Sequence, residues 1–369
     1  MPKAFNSYKE RYLNKEKAEY LLKSKANIFQ GYTEIRTDHY YKWEKAQSKK
    51  YFEYRKKWVE NADKLVLEKY PLHLDIGITN VCNLACTFCA RTIRVEEGRF
   101  RKTKHMDLKL FKKIIDDASE LGTYSINLNL LNEPLTHPKL LEMIRYAKEK
   151  GIIDVHFHSH GGLLTEEKAL ELLDSGLDKL LISIDSPYKE KYNKLRVFSD
   201  FDDVIKNLKR FKKLRDEKRK IGPLIRVNFI QFPNVTEDEL KDAQKLFLQF
   251  ADCIGFQEYV DPHWNIGKDK TYSEEYKSEF ICQQPFTRLS IIEDGRVSPC
   301  CNDHDQQLVI GDLSKQSLKE IWESHKLTTI REIQKEGKFF TIPTCANCEM
   351  AVNADRGIQT PIQKLEPTI

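Results

Sequence analysis

The chain has 369 residues, 32% of them charged, a formal net charge of +5 and a mean hydropathy of −0.59. That length holds about two domains with a large core. No apolar run is long enough to cross a bilayer, and Lys and Arg are so interleaved with Glu that nucleic acid is not an expected partner. The first residues, Met1 to Asn6, form no apolar signal segment. Nine cysteines, an odd number partly in tight clusters, read as metal ligands in a reducing compartment rather than as disulfides, so the cytoplasm is the expected location.

Residues 1–70 are rich in Lys, Glu and Tyr and poor in Gly and Pro. Segments 14–25 and 40–62 have helical spacing; in the second, Trp43, Ala46, Tyr51, Tyr54 and Trp58 form the apolar stripe. They predict a helical N-terminal extension packed on the following domain. No strands of the kind a peptide-leader-binding domain requires are read there.

From 71 to 262 strands alternate with helices. The expected strands are 72–79, 125–131, 152–158, 179–185, 224–230 and 253–259. Between them, one helix runs from an N-cap at Asp107 to Gly122, a second from Pro138 to Gly151 and a third from Thr165 to Gly176. A fourth opens near Phe201, and a fifth opens on a capping box at Thr236 and Glu239. Such alternation predicts a parallel sheet with right-handed crossovers. Six units fall short of the eight of a closed barrel.

Directly after the first strand come Cys82, Cys86 and Cys89, spaced C-x3-C-x2-C. Composition alone would produce roughly 0.005 such patterns in a chain of this kind. Three thiolates on one loop suit a cubane iron–sulfur cluster, and three rather than four leave one iron open to bind a reactant. A zinc knuckle would want a fourth close ligand, and the nearest His is His105.

This motif, with Phe88 before its last cysteine, resembles the radical S-adenosylmethionine (SAM) superfamily. The resemblance implies a partial (β/α)6 TIM-type barrel, a [4Fe–4S] cluster whose open iron chelates SAM, and hydrogen abstraction by a 5′-deoxyadenosyl radical. It also implies an electron donor such as flavodoxin or ferredoxin. Asn132, Glu133 and Pro134 resemble the segment that meets the SAM amino group, although both of the family's glycines are replaced, by Leu131 and Asn132. Ser183, Asp185 and Arg196 match residues that contact the ribose and the methionine carboxylate. His156, His158 and His160 share one face of the third strand. His160, nearest its end, is the candidate substrate contact or proton acceptor. Cys253 reads as a buried structural thiol.

After Pro262 the alternation stops. Cys282, Cys300, Cys345 and Cys348 follow, with a hairpin predicted around Glu293, Asp294 and Gly295 and a capping box at Ser317 and Glu320. Taken alone the four cysteines suit zinc or an iron–sulfur cluster equally. Behind a radical SAM core they resemble a shortened SPASM module, the twitch module, which implies one auxiliary [4Fe–4S] cluster. Adjacent strand residues point oppositely, so one of Cys300 and Cys301 is the ligand, and the Gly-x4-Cys spacing favours Cys300.

The expected organisation is 1–70 extension, 71–262 radical SAM core and 263–369 twitch module. The whole resembles 2-deoxy-scyllo-inosamine dehydrogenase-like enzymes, which implies oxidation of a small polar substrate of the sugar, sugar-nucleotide or aminocyclitol class. A peptide maturase and a redox-neutral epimerase or deaminase are the alternatives. Nothing in the sequence specifies an oligomer.

Overall fold

In the computed structural model of the protein the described residues are 3–5, 33–259, 277–278, 280–346, 348 and 351. The expected helix at 14–25 lies outside them. The N-terminal part contributes strands β1 (Lys3–Phe5) and β2 (Thr33–Arg36) and helices α1 (Asp38–Lys45) and α2 (Lys49–Lys64). The expected single helix at 40–62 is therefore two, because the Ser48 hydroxyl accepts from Tyr51 N–H and starts a new helix. The two strands were not expected from sequence. β2 pairs antiparallel with the last strand of the core, and β1 pairs with β2.

The core strands are β3 (His73–Ile76), β4 (Ser125–Asn127), β5 (Asp154–Ser159), β6 (Lys179–Ser183), β7 (Leu224–Gln231) and β8 (Cys253–Glu258). Helices α3 (Ala90–Glu96) and α4 (Leu108–Leu121) follow β3, α5 (Leu140–Glu149) follows β4, and α6 (Glu166–Leu173) follows β5. Helices α7 (Lys189–Leu195) and α8 (Phe201–Glu217) follow β6, and α9 (Glu237–Phe247) follows β7.

β3 to β8 are all parallel and pair in chain order. The C-terminal hairpin, β9 (Arg288–Ile291) and β10 (Arg296–Ser298), turns at Gly295, whose φ of +96° favours glycine. β9 lies parallel to β3, and β11 (Gly311–Asp312) closes that edge. The result is an open sheet of eleven strands in the order β1-β2-β8-β7-β6-β5-β4-β3-β9-β10-β11. It is the expected partial barrel, lengthened at both edges.

Alternation along the strands explains how the barrel is filled. Leu74, Ile126, Val155, Leu180, Val227 and Ile254 face the outer helices and are completely buried. α4 answers them with Phe111, Ile114 and Ile115, each fully buried, and the burial of each stabilises by about 1.5–3 kcal/mol. Asp107 caps this helix and Gly122 ends it in the left-handed region, as their types predict. The capping box at α9 is half made. The Thr236 hydroxyl accepts from Glu239 N–H at 3.2 Å, while the Glu239 carboxylate accepts instead from the Ser186 hydroxyl at 2.7 Å and Lys191 Nζ at 2.6 Å. The box at Ser317 and Glu320 is complete.

The opposite faces of the same strands are polar and point into the barrel. α1 and α2 close its base, where strands begin. Tyr40, Trp43 and Tyr51 pack on Leu224 and Cys253, and Tyr54, Trp58 and Val59 pack on Leu72 and Tyr124. Cys253 is fully buried in that aromatic contact, which accounts for it as a structural thiol.

Candidate functional site

The loop after β3 carries Cys82, Cys86 and Cys89 to the rim where strands end. Backbone hydrogen bonds from Ala85 N–H to Val197 O (3.1 Å) and from Thr87 N–H to Leu195 O (3.0 Å) tie it to the end of α7. Cys89 N–H donates to Cys86 O at 3.1 Å, and Cys89 is the residue on which α3 starts. Burial pushes the Cys82 thiol up to about 12 and Cys86 up to about 11, with Arg196 working against the rise at Cys86. Bare thiolates are thus disfavoured here, and a metal that requires deprotonated sulfur supplies the missing stabilisation. Among the described residues no three His, Cys, Asp or Glu side chains converge on a single ion. A cubane binds each cysteine through a different iron, so its ligands stand further apart than those of one ion. The donor set fits.

Arg196 and Asp185 meet each other beside this loop. Arg196 Nε donates to Asp185 Oδ2 at 2.7 Å, Nη2 lies 2.5 Å from the same oxygen, and Nη1 reaches 3.9 Å from Cys86 Sγ. The second Asp185 oxygen accepts from Ile230 N–H at 3.2 Å. Burial works against the Arg196 charge, but Asp185 and Cys86 overcome it and hold the guanidinium above its usual range. Both Asp185 oxygens are engaged, and its carboxylate orients Arg196. The guanidinium also lies 5.4 Å from the centre of the Phe88 ring, which packs edge-on against Phe232 at 5.0 Å. Ser183, at the end of β6, is half-buried and paired in register with Asn228.

Glu133 and His160 are a second linked pair. Glu133 Oε1 accepts from Leu135 N–H and Oε2 from His160 N–H, each at 3.0 Å. Burial nevertheless raises its carboxyl to about 7. His160 Nδ1 accepts from Gly162 N–H at 3.0 Å, so the ring proton sits on Nε2, which is 3.0 Å from Asn83 Oδ1 and 3.3 Å from Glu133 Oε2. Burial, followed by the charge of Arg196, pushes its pKa down to about 4. The imidazole is neutral with both nitrogens engaged. His160 therefore does not have the free nitrogen that a proton acceptor needs; it braces the cysteine loop against Glu133. Asn83, its partner, was not singled out from sequence, and its only signal was its place in the Cys-Asn-Leu start of the motif. The Asn132 side chain is spent on its own loop, accepting from Leu130 N–H at 2.7 Å and donating to Leu128 O at 3.3 Å. His156 stacks on His73 at 5.6 Å and His158 Nδ1 accepts from Asn228 Nδ2 at 2.9 Å, so the three histidines do not act together.

At the other end of the barrel, Cys282, Cys300, Cys345 and Cys348 line one cavity of about 180 Å³, with Phe280, Pro285, Leu308 and Phe339 as apolar wall. Burial pushes Cys282 up to about 12 and raises Cys345 and Cys300 further, and neighbouring thiols add to each shift. Cys301 is absent from that lining. Its N–H donates to Gln284 Oε1 at 3.1 Å, and its thiol interacts with Arg288 and Asp75. The geometry favours Cys300 of the adjacent pair. Arg288 and Trp58, 5.2 Å apart, line this cavity and also the barrel interior, so they form the wall between the two.

Comparison with known proteins agrees with this arrangement. Residues 76–247 match the radical SAM superfamily and residues 282–349 an iron–sulfur cluster-binding domain, SPASM. The tungsten-containing aldehyde ferredoxin oxidoreductase cofactor-modifying protein of Pyrococcus furiosus is 27% identical over 321 residues, 75% of this chain and 87% of that protein. The S-adenosyl-L-methionine-dependent 2-deoxy-scyllo-inosamine dehydrogenase of Niallia circulans is 20% identical over 291 residues, 76% of this chain and 94% of that protein. Among solved structures, Streptococcus suis SuiB bound to its precursor peptide SuiA shares the fold with a TM-score of 0.57 and 15% identity, over 82% of this chain and 77% of that one. No helix among the described residues is long and apolar enough to cross a membrane.

Proposed function

Because the chain belongs to the radical SAM superfamily and carries a SPASM iron–sulfur domain behind that core, we propose that it oxidises an alcohol carbon of a small polar molecule. When bound, the cluster and SAM at the cysteine triple supply hydrogen-atom abstraction, and the second cluster supplies an electron acceptor. The observation that carries the reading is the cavity lined by four thiols, with the barrel interior between it and the rim that bears the triple. Four cysteines leave a cluster without a vacant ligand position, which suits electron transfer rather than chelation of a reactant. An alcohol that becomes a ketone gives up one hydrogen atom, one electron and one proton, so a radical enzyme of this kind needs a second electron sink.

The residues around the triple have supporting roles. Asp185 holds Arg196 beside Cys86 in its charged form, which favours the thiolate there. Asn83, His160 and Glu133 brace the cysteine loop against the strand ends. The named activity of the Niallia circulans relative supports the substrate class.

A second reading, modification of a peptide, draws on one observation. β1 and β2 extend the sheet at the edge away from the second cluster, and strand addition at a sheet edge is a common mode of peptide binding. The test is iron and sulfide content with electron paramagnetic resonance on anaerobically reconstituted Cys82/Cys86/Cys89→Ala protein. About four irons in a reducible cluster would uphold the electron-exit reading. Absence of iron, or zinc in its place, would overturn it and leave redox-neutral chemistry such as epimerisation.

A further inference from the structure

The barrel interior holds a cavity of about 230 Å³ that none of the groups discussed so far explains. Its walls are the inward residues of the core strands. Its floor is the N-terminal extension, through Tyr40, Tyr51, Tyr54, Arg55 and Trp58. Arg55, Lys179, Arg226 and Arg288 face it, as do Glu34, Asp75 and Asp154, which leaves four cations against three carboxylates. This is an unusual content for a barrel centre, which side chains ordinarily fill with apolar layers.

Three of the polar atoms here are acceptors without a hydrogen-bond donor among the described residues: Asp75 Oδ2, Asn127 Oδ1 and Asp154 Oδ1. Asp75 and Asp154 are 4% and 1% exposed. Asn127 Nδ2 donates to Asp75 Oδ1 at 2.9 Å, which orients the amide and leaves its oxygen over. The groups nearest the two carboxylate oxygens, Arg288 Nη1 and His156 Nδ1, each stop at 3.5 Å. Buried acceptors are nearly always met by a donor. These three call for O–H or N–H groups delivered from within the cavity.

We propose that this chamber is the substrate pocket and that it takes one polyhydroxylated or aminated ring of monosaccharide size. The proposal rests on the radical oxidation proposed above and names its substrate. A ring bearing hydroxyl or amino groups offers donors in several directions at once, as the three acceptors require. Its hydroxyl oxygens accept in turn from the arginines. Size narrows the class: about 230 Å³ is smaller than the roughly 300–1,000 Å³ of pockets for drug-sized ligands, so a nucleotide-linked sugar or a peptide segment does not fit inside. The extension acquires a function, because α1 and α2 make the barrel blind at its base. Arg288 and Trp58, which line both cavities, then stand between the ring and the second cluster.

The test is calorimetric titration of the anaerobically reconstituted full chain with SAM, followed by myo-inositol, 2-deoxy-scyllo-inosamine and glucosamine, with GTP and a short peptide as counter-probes. At least one ring compound should bind, and Asn127→Leu should weaken it by about tenfold, the loss of one buried hydrogen bond, while SAM affinity stays unchanged. Should that variant not fold, Asn127→Ala is measured in its place. SAM binding with no ring compound bound would overturn the chamber and leave the radical reading standing, with water alone filling the cavity. Ring binding that is insensitive to the substitution, or GTP or peptide binding that is sensitive to it, would also overturn it. Ring binding without SAM binding would uphold the chamber and overturn the radical reading.

Discussion

The pair formed by Asp185 and Arg196 makes a sharp quantitative prediction. Their side chains are 1% and 8% exposed, and Arg196 Nε and Nη2 lie 2.7 and 2.5 Å from Asp185 Oδ2. Removing one member of a buried ion pair strands the other charge and costs about 3–5 kcal/mol. Asp185→Asn and Arg196→Met should therefore each lower the unfolding free energy of the metal-free chain by about that amount. In the double variant Asp185→Asn/Arg196→Met no charge is stranded, so the loss should fall short of the sum by about 2–3 kcal/mol. Urea unfolding followed by circular dichroism under anaerobic conditions measures all four proteins. Additive losses would refute the argument, because they would mean that the two charges are solvated independently. Arg196→Met should also slow iron incorporation, since the Cys86 thiol loses the cation that offsets its burial.

Two further outcomes follow from the site. Glu133, buried, has its carboxyl raised to about 7 from an ordinary value of 4.5. A raised folded-state value means the contribution is fully present below pH 4.5 and is lost as pH rises through 7, with a total on the order of 3 kcal/mol. The difference in unfolding free energy between wild type and Glu133→Gln should therefore change by about that amount between pH 4.5 and 8; a difference flat with pH would contradict it. At the second cluster, Cys300→Ser in the protein lacking the triple should lose the remaining iron, whereas Cys301→Ser should retain about four irons per chain. The reverse pattern would exchange the roles of the two cysteines.

Much of the fold was legible because it is written in local patterns. The strand–helix alternation of 71–262 follows from periodicity and caps, and Asp107, Gly122 and Thr165 end or begin their helices where their side chains and backbone freedom require. The cysteine triple was legible for the same reason, since C-x3-C-x2-C within one loop needs no distant partner to be recognised. The capping box at α9 was half wrong because Glu239 had a better option than its own helix end: Ser186 and Lys191, brought to it by the tertiary fold.

What the sequence determined by itself is the covalent spacing of the ligands, the order of strands and the alternation that turns apolar residues outward and polar residues into the barrel. The tertiary structure decided where each polar side chain spends its hydrogen bonds. Asp185 holds Arg196, His160 is tied to Asn83 across 77 positions, and Cys300 rather than Cys301 joins the four-thiol cavity. It also turned an extension with no readable purpose into the floor of a polar chamber. The physical reason is one of range. Helix and strand periodicity is set by neighbours a few residues away, whereas a buried donor or acceptor must find its partner among groups that only chain folding brings within hydrogen-bond distance.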